Sequence, residues 1–197
     1  MSLCKSNYNI ILASNSPRRK ELLAALGLDF VIRTLPDVDE SYPESLRGGE
    51  IPGFIAVQKA NAYRDSLQPD DVLITADTIV WLDNKVLGKP ADKEDAVKML
   101  SMLSGRTHQV FTGVCVTTTT LQKCFTVQSD VVFDILSQED IISYVEKYMP
   151  LDKAGAYGVQ EWIGYIGVKY ISGSFYNIMG LPVQMLYREL RQLGIIY

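Results

Sequence analysis

The chain has 197 residues, a net charge of −4, 47% apolar and 21% charged residues, which are the proportions of a folded globular protein rather than a disordered one. An acidic chain is a poor general ligand for nucleic acid, so any polyphosphate it binds must meet a local basic pocket, helped by a divalent cation. No run of about 18 apolar residues and no leader pattern is present, so no membrane span is expected and the cytoplasm is the expected compartment.

Tyr8 to Ala13 reads as a short apolar strand. Ser16 then suits an N-cap and Pro17 the first helical position, with Leu22, Leu23 and Leu26 as an apolar stripe ending at Gly27. The first turn of that helix therefore carries Arg18, Arg19 and Lys20. Cations there oppose the helix macrodipole, at roughly 0.3–1 kcal/mol each when exposed. A bound anion removes the conflict, because free backbone N–H groups and basic side chains then face the same ligand. A polyphosphate is the natural candidate.

A second strand is expected over Asp29 to Thr34, then the acidic loop Pro36 to Ser41 and a helix from about Pro52 to Leu67. Asp71 to Pro90 reads as a buried strand entering a hairpin with Asp83-Asn84 at its turn. Asp92 caps a helix with the stripe Ala96, Val97, Leu100 and Leu103, stopped by Ser104-Gly105. Two β-branched strands follow, Thr107 to Thr120 and Cys124 to Ile135, then a capping box, Ser137 with Asp140, that opens a further helix. Ala154 to Gly180 is rich in glycine and aromatics and implies tight turns; a last helix covers Pro182 to Leu193. Alternating strands and helices favour an α/β fold.

Several residues have alternative readings. Asp77, in ADTIV, stands as an apolar strand ends, which suits either a ligand-facing rim or a turn cap. Asp37, Asp39 and Glu40 offer hard oxygens for Mg²⁺ or Mn²⁺, or simply form a solvated loop. Lys59 lies in register with Ile51, Phe54, Ile55 and Ala62, so its ammonium sits on or beside a buried helix face, or snorkels outward. Lys89 is held in the turn GKP, where a plain surface lysine is the simpler reading. His108 has no serine elbow or second histidine to work with, and a structural role is expected. Cys4, Cys115 and Cys124 lack CxxC spacing and are expected to be reduced, mostly buried thiols. There is no Walker-type phosphate loop.

Together, LASNSPRR, DVDE, QKA around Lys59, ADTIV, GKP, SGRTHQVFTG, PLDKAGAYGVQ and GSFYNIMGLP resemble the Maf family of nucleoside triphosphate pyrophosphatases, in the family's order and over nearly the whole chain. The resemblance implies one Maf-like domain over residues 1–197, an α/β fold with a mixed, twisted sheet flanked by helices, and two lobes about a central cleft, similar to inosine triphosphate pyrophosphatases. It implies metal-dependent cleavage of a nucleoside triphosphate to the monophosphate and pyrophosphate, and a homodimer. The family's general base falls on Asp77, its phosphate-handling groups on Ser14, Arg18, Arg19, Lys59 and Lys89, and the metal-side acid on Glu40, with Asp77 a second ligand. Arg18, Thr78 and Gln160 match the subgroup acting on dTTP and UTP. Where the family often continues in glycine after Gln160, this chain has Glu161 and Trp162; aromatic packing is the expected role of Trp162 and Tyr165. The competing reading is a non-catalytic nucleotide-binding regulator of septum formation.

Overall fold

A computed structural model describes residues 4–197. In chain order the elements are β1 (Asn9–Leu12), α1 (Pro17–Ala25), β2 (Val31–Ile32), α2 (Glu50–Tyr63), β3 (Asp71–Leu82), β4 (Lys85–Leu87), α3 (Lys93–Leu103), β5 (Thr107–Thr117), β6 (Gln122–Phe133), α4 (Gln138–Tyr148), α5 (Trp162–Gly167), β7 (Val168–Ser172), α6 (Phe175–Met179) and α7 (Val183–Gln192). The strands are ordered β2-β1-β3-β5-β6-β7, with β4 paired to β3. β1 runs parallel to both β2 and β3, whereas β4 and β7 are antiparallel to β3 and β6. This is the expected mixed α/β sheet with helices. Among the described residues no helix is long and apolar enough to cross a membrane.

The chain divides into two compact units, and the division falls inside the long strands. The first unit takes residues up to Asp77, Thr112–Val127 and Gly180–Tyr197; the second takes Thr78–Phe111 and Gln128–Met179. In the first, Ile11 and Leu73 of the parallel strands pack with Ala56, Ala60 and Tyr63 of α2. In the second, Leu100 and Leu103 of α3, Ile141 and Tyr144 of α4 and Phe133 of β6 share one apolar cluster.

Local sequence signals account for the elements. Ser16 caps α1, accepting from the Arg19 amide, with Pro17 at the first turn. Asp92 and Ser137 cap α3 and α4 in the same way. Asp83 and Asn84 both take positive φ, 50° and 61°, which a two-residue hairpin turn of the primed type requires.

Five expectations are corrected. Asp77 lies inside the twelve-residue β3, not at a strand end, because the apolar run continues on both sides of it. The buried face of α2 is Ile51, Pro52, Ile55, Ala56, Ala60 and Tyr63; Phe54 and Ala62 face outward. The glycine-rich segment after Ala154 is not only turns, since α5, β7 and α6 form within it. Cys115 and Cys124 form a disulfide rather than two thiols, because β5 and β6 bring their Cα atoms to 4.2 Å. Tyr165 also departs from the expected packing role, being 79% exposed, while Trp162 does pack on the core of the second unit.

Candidate active site

In the first unit, the site is built from β3, α1, α2 and the acidic loop. Ser14, two residues past β1, is buried and accepts from the Ser16 amide at 3.2 Å, shaping the entry to α1. The first turn of α1 carries Arg18, Arg19 and Lys20, no acidic residue lies there, and no basic residue sits in the last turn. The charge order is thus opposite to what the macrodipole favours and suits an anion at this end. Arg19 reaches across to β3, donating from Nη1 to the Ala76 carbonyl at 2.9 Å and from Nε to the Gly180 carbonyl at 2.8 Å. Burial pushes the Arg19 pKa down, opposed by the nearby Asp77 carboxylate.

Lys59 is the centre of the arrangement. Its Nζ lies 2.8 Å from Asp77 Oδ1 and 2.8 Å from Glu40 Oε1. The side chains of Lys59 and Asp77 are each only 13% exposed, whereas Glu40 is 54% exposed. An ion pair so far removed from water depends on its geometry being held, since either charge left alone costs several kcal/mol. Two contacts hold it. The buried Thr75 hydroxyl donates to the Ala56 carbonyl at 2.8 Å, pinning α2 to β3 two residues before Asp77. Gly113 of β5 lets the backbone of Pro52 and Gly53 approach so closely that any Cβ there would fall 2.3 Å from the Pro52 carbonyl oxygen.

Two carboxylates meeting at one cation are also the hard oxygen donors that Mg²⁺ or Mn²⁺ takes together with water and phosphate, so Glu40 and Asp77 fit a divalent ion. Among the described residues no three His, Cys, Asp or Glu side chains gather as a metal-ligating group. Asp39 has a different task. It accepts from the Ser41 amide at 2.8 Å and hydroxyl at 2.9 Å, which hold its pKa low and fold the loop that carries Glu40.

In the second unit, Thr78 follows Asp77 along β3, and exposed Lys89 follows β4. The turn before Lys89 is fixed where the Gly155 amide donates to the Gly88 carbonyl at 3.0 Å; Gly155 has φ 68° and a Cβ there would meet Val80. Gln160 is partly buried in the same segment, and its buried Oε1 has no hydrogen-bond partner among the described residues. Such an unmet acceptor costs roughly 1–3 kcal/mol and is relieved by a ligand that donates to it. His108 is structural, as expected: it is fully buried, its Nε2 is 2.8 Å from the Tyr157 hydroxyl, and burial pushes its pKa down to about 4.

The family model described as Maf-like protein matches residues 9–193. The chain belongs to the Maf-like family. Over 186 residues this family member is 71% identical to a protein of Bacteroides thetaiotaomicron named dTTP/UTP pyrophosphatase, covering 94% of this chain and 96% of that one. A Phocaeicola vulgatus protein of the same name is 58% identical over the same shares. Among solved structures, the Staphylococcus aureus Ham1 protein matches with a TM-score of 0.53 at 19% identity, covering 93% of this chain and 98% of that one. That likeness is one of fold.

Of the residues that sequence reasoning singled out in the first unit, Arg18, Arg19, Glu40, Lys59 and Asp77 lie on these four elements and Ser14 lies between β1 and α1, and Glu40, Lys59 and Asp77 meet directly. It missed Thr75 and Gly113, whose signal is only a small residue in an apolar strand, and Tyr144 and Lys153, which bear on the segment around Gln160.

Proposed function

We propose that this family member hydrolyses dTTP and UTP to the monophosphate and pyrophosphate. The observation that carries the reading is Lys59 bridging Asp77 and Glu40 beside a helix start loaded with arginine. The names of the relatives support the substrate pair.

Cleavage between the α and β phosphates needs a water delivered in line at the α phosphorus. Asp77 orients that water and takes its proton, while Lys59 fixes the carboxylate and faces the phosphates. Arg18, Arg19 and Lys89 offset the charge that spreads onto the departing pyrophosphate, and the Ser14 hydroxyl donates a hydrogen bond to a phosphate oxygen. A divalent ion held by Glu40 and Asp77 would supply further positive charge to the triphosphate. At the base, the Gln160 carbonyl accepts from the imide N–H of uracil or thymine and its amide donates to a ring carbonyl, with Thr78 beside Asp77 as a second polar contact. Cytosine has no N–H at N3, so the contact that the Gln160 carbonyl makes there with uracil or thymine is lost. The family resemblance alone supports a homodimer, a cytoplasmic location and Mg²⁺ or Mn²⁺ as the ion.

A purely binding regulator has no use for a carboxylate positioned by a buried ammonium, and that reading is set aside. The test is pyrophosphate release from a panel of triphosphates with Mg²⁺ or Mn²⁺. UTP and dTTP are expected to be cleaved fastest, and chelation by EDTA to stop turnover. Equal rates on all bases would undo the role given to Gln160.

A further inference from the structure

Glu161 occupies the N-cap position of α5, yet its side chain caps nothing there. Its carboxylate reaches back instead. Oε2 accepts from the Tyr144 hydroxyl of α4, and Oε1 lies 3.2 Å from Lys153 Nζ. Tyr144 is wholly buried, and its hydroxyl in turn accepts from the Gly158 amide at 3.1 Å. Lys153 is itself almost fully buried and is steadied by Asp152 at 2.7 Å. The turn is closed along the backbone as well, where the Glu161 amide donates to the Gly158 carbonyl at 2.9 Å. Gln160 lies within this turn, one residue before Glu161.

Packing leaves the turn little freedom. A Cβ on Gly158 would fall 2.7 Å from the Glu161 carboxyl carbon, and one on Gly164 would fall 1.9 Å from the Val159 carbonyl oxygen. Burial and the Glu161 carboxylate both push the Tyr144 pKa up, so its hydroxyl keeps the proton it donates. The side chains thus form one chain of donors and acceptors, from the Gly158 amide through Tyr144 to Glu161 and Lys153. Such fully connected buried networks impose a single geometry, and partial loss loosens it.

We propose that Glu161, tied to Tyr144 and Lys153, is a positioning residue that holds the Gln160 side chain as a preset acceptor for the imide N–H of uracil and thymine nucleotides. The inference rests on the pyrophosphatase reading above and deepens it. It gives a use to the departure from glycine after Gln160. A glycine there has no side chain with which to tie the turn to α4, whereas Glu161 fixes the acceptor before the base arrives, and preorganisation of that kind is what makes a polar site discriminate.

The test compares kcat and KM for UTP and CTP in the wild type, Glu161→Ala, Glu161→Gln and Tyr144→Phe, each checked for folding by circular dichroism. In Glu161→Ala the UTP to CTP ratio of kcat/KM is expected to fall about tenfold, through a higher KM for UTP with kcat nearly unchanged. Tyr144→Phe is expected to act in the same direction. Glu161→Gln, which keeps one acceptor, is expected to recover part of the ratio. A selective wild type whose folded variants keep the same ratio, or lose kcat equally on both bases, overturns the positioning role alone. A wild type with no preference for UTP over CTP overturns the base-selection reading on which it rests. Should Glu161→Ala fail to fold, the Tyr144→Phe comparison decides the matter by the same criteria.

Discussion

Asp77→Asn is expected to fold and to lose about 10²–10⁴-fold in kcat on UTP, the range for removal of a positioned general base. Asparagine has nearly the same volume as aspartate and keeps a carbonyl oxygen for the Lys59 ammonium, which also retains Glu40 at 2.8 Å. β3 continues on both sides of the position, and Arg19 holds the Ala76 carbonyl, which the change leaves in place. The change should therefore leave secondary structure and melting behaviour close to wild type. What it removes is the proposed acceptor of the proton from water. Because the loss falls on the chemical step, KM for UTP should change little while kcat collapses. Steady-state kinetics alongside a thermal melt separates this from misfolding. A folded Asp77→Asn variant with wild-type turnover would take the general base away from this residue.

Lys59→Met is expected to cost about 10²–10³-fold in kcat/KM, the scale of losing one preorganised electrostatic contact to a developing charge. Methionine fills much the same volume on the half-buried face of α2, so packing against the strands is kept. The carboxylates of Asp77 and Glu40, however, lose the cation they share. Without that contact, Asp77 loses a group that orients it and the phosphates lose a positive neighbour at once. The two effects should appear together as a lower kcat and a higher KM. Lys59→Arg should recover only part of the activity, because a planar guanidinium does not replace a compact ammonium between two oxygens. Kinetics on UTP for both variants measures this; a Lys59→Met protein of wild-type kcat/KM would leave the ion triad without a role.

Much of the first unit was legible in the sequence because its signals are local. The Ser16 cap, Pro17 and the arginines after them define the start of α1 without reference to anything distant. The position of Lys59 near a buried face followed from helical spacing, although the face is rotated from the one expected. Pro52, Ala56 and Ala60 point inward because small residues allow α2 to lie close to the strands, and Gly113 allows the closest approach. Hydrophobicity alone could not reveal that, since it favoured Phe54.

Other features depend on pairing between distant residues. The disulfide needs β5 and β6 in register, which cysteine spacing does not encode. Asp77 looked terminal because a charge interrupts an apolar run, yet the strand tolerates it where Lys59 supplies a counter-charge from α2. Glu161 was visible only as an unusual residue after Gln160. Its meaning came from Tyr144 and Lys153, seventeen and eight positions earlier in the chain.

The most direct test of in-line attack at the α phosphorus is hydrolysis of UTP by the wild-type protein in H₂¹⁸O, followed by mass analysis of both products. One ¹⁸O in the UMP and none in the pyrophosphate is the expected result. Label carried by the pyrophosphate instead would place the attack at the β phosphorus and contradict the proposed chemistry.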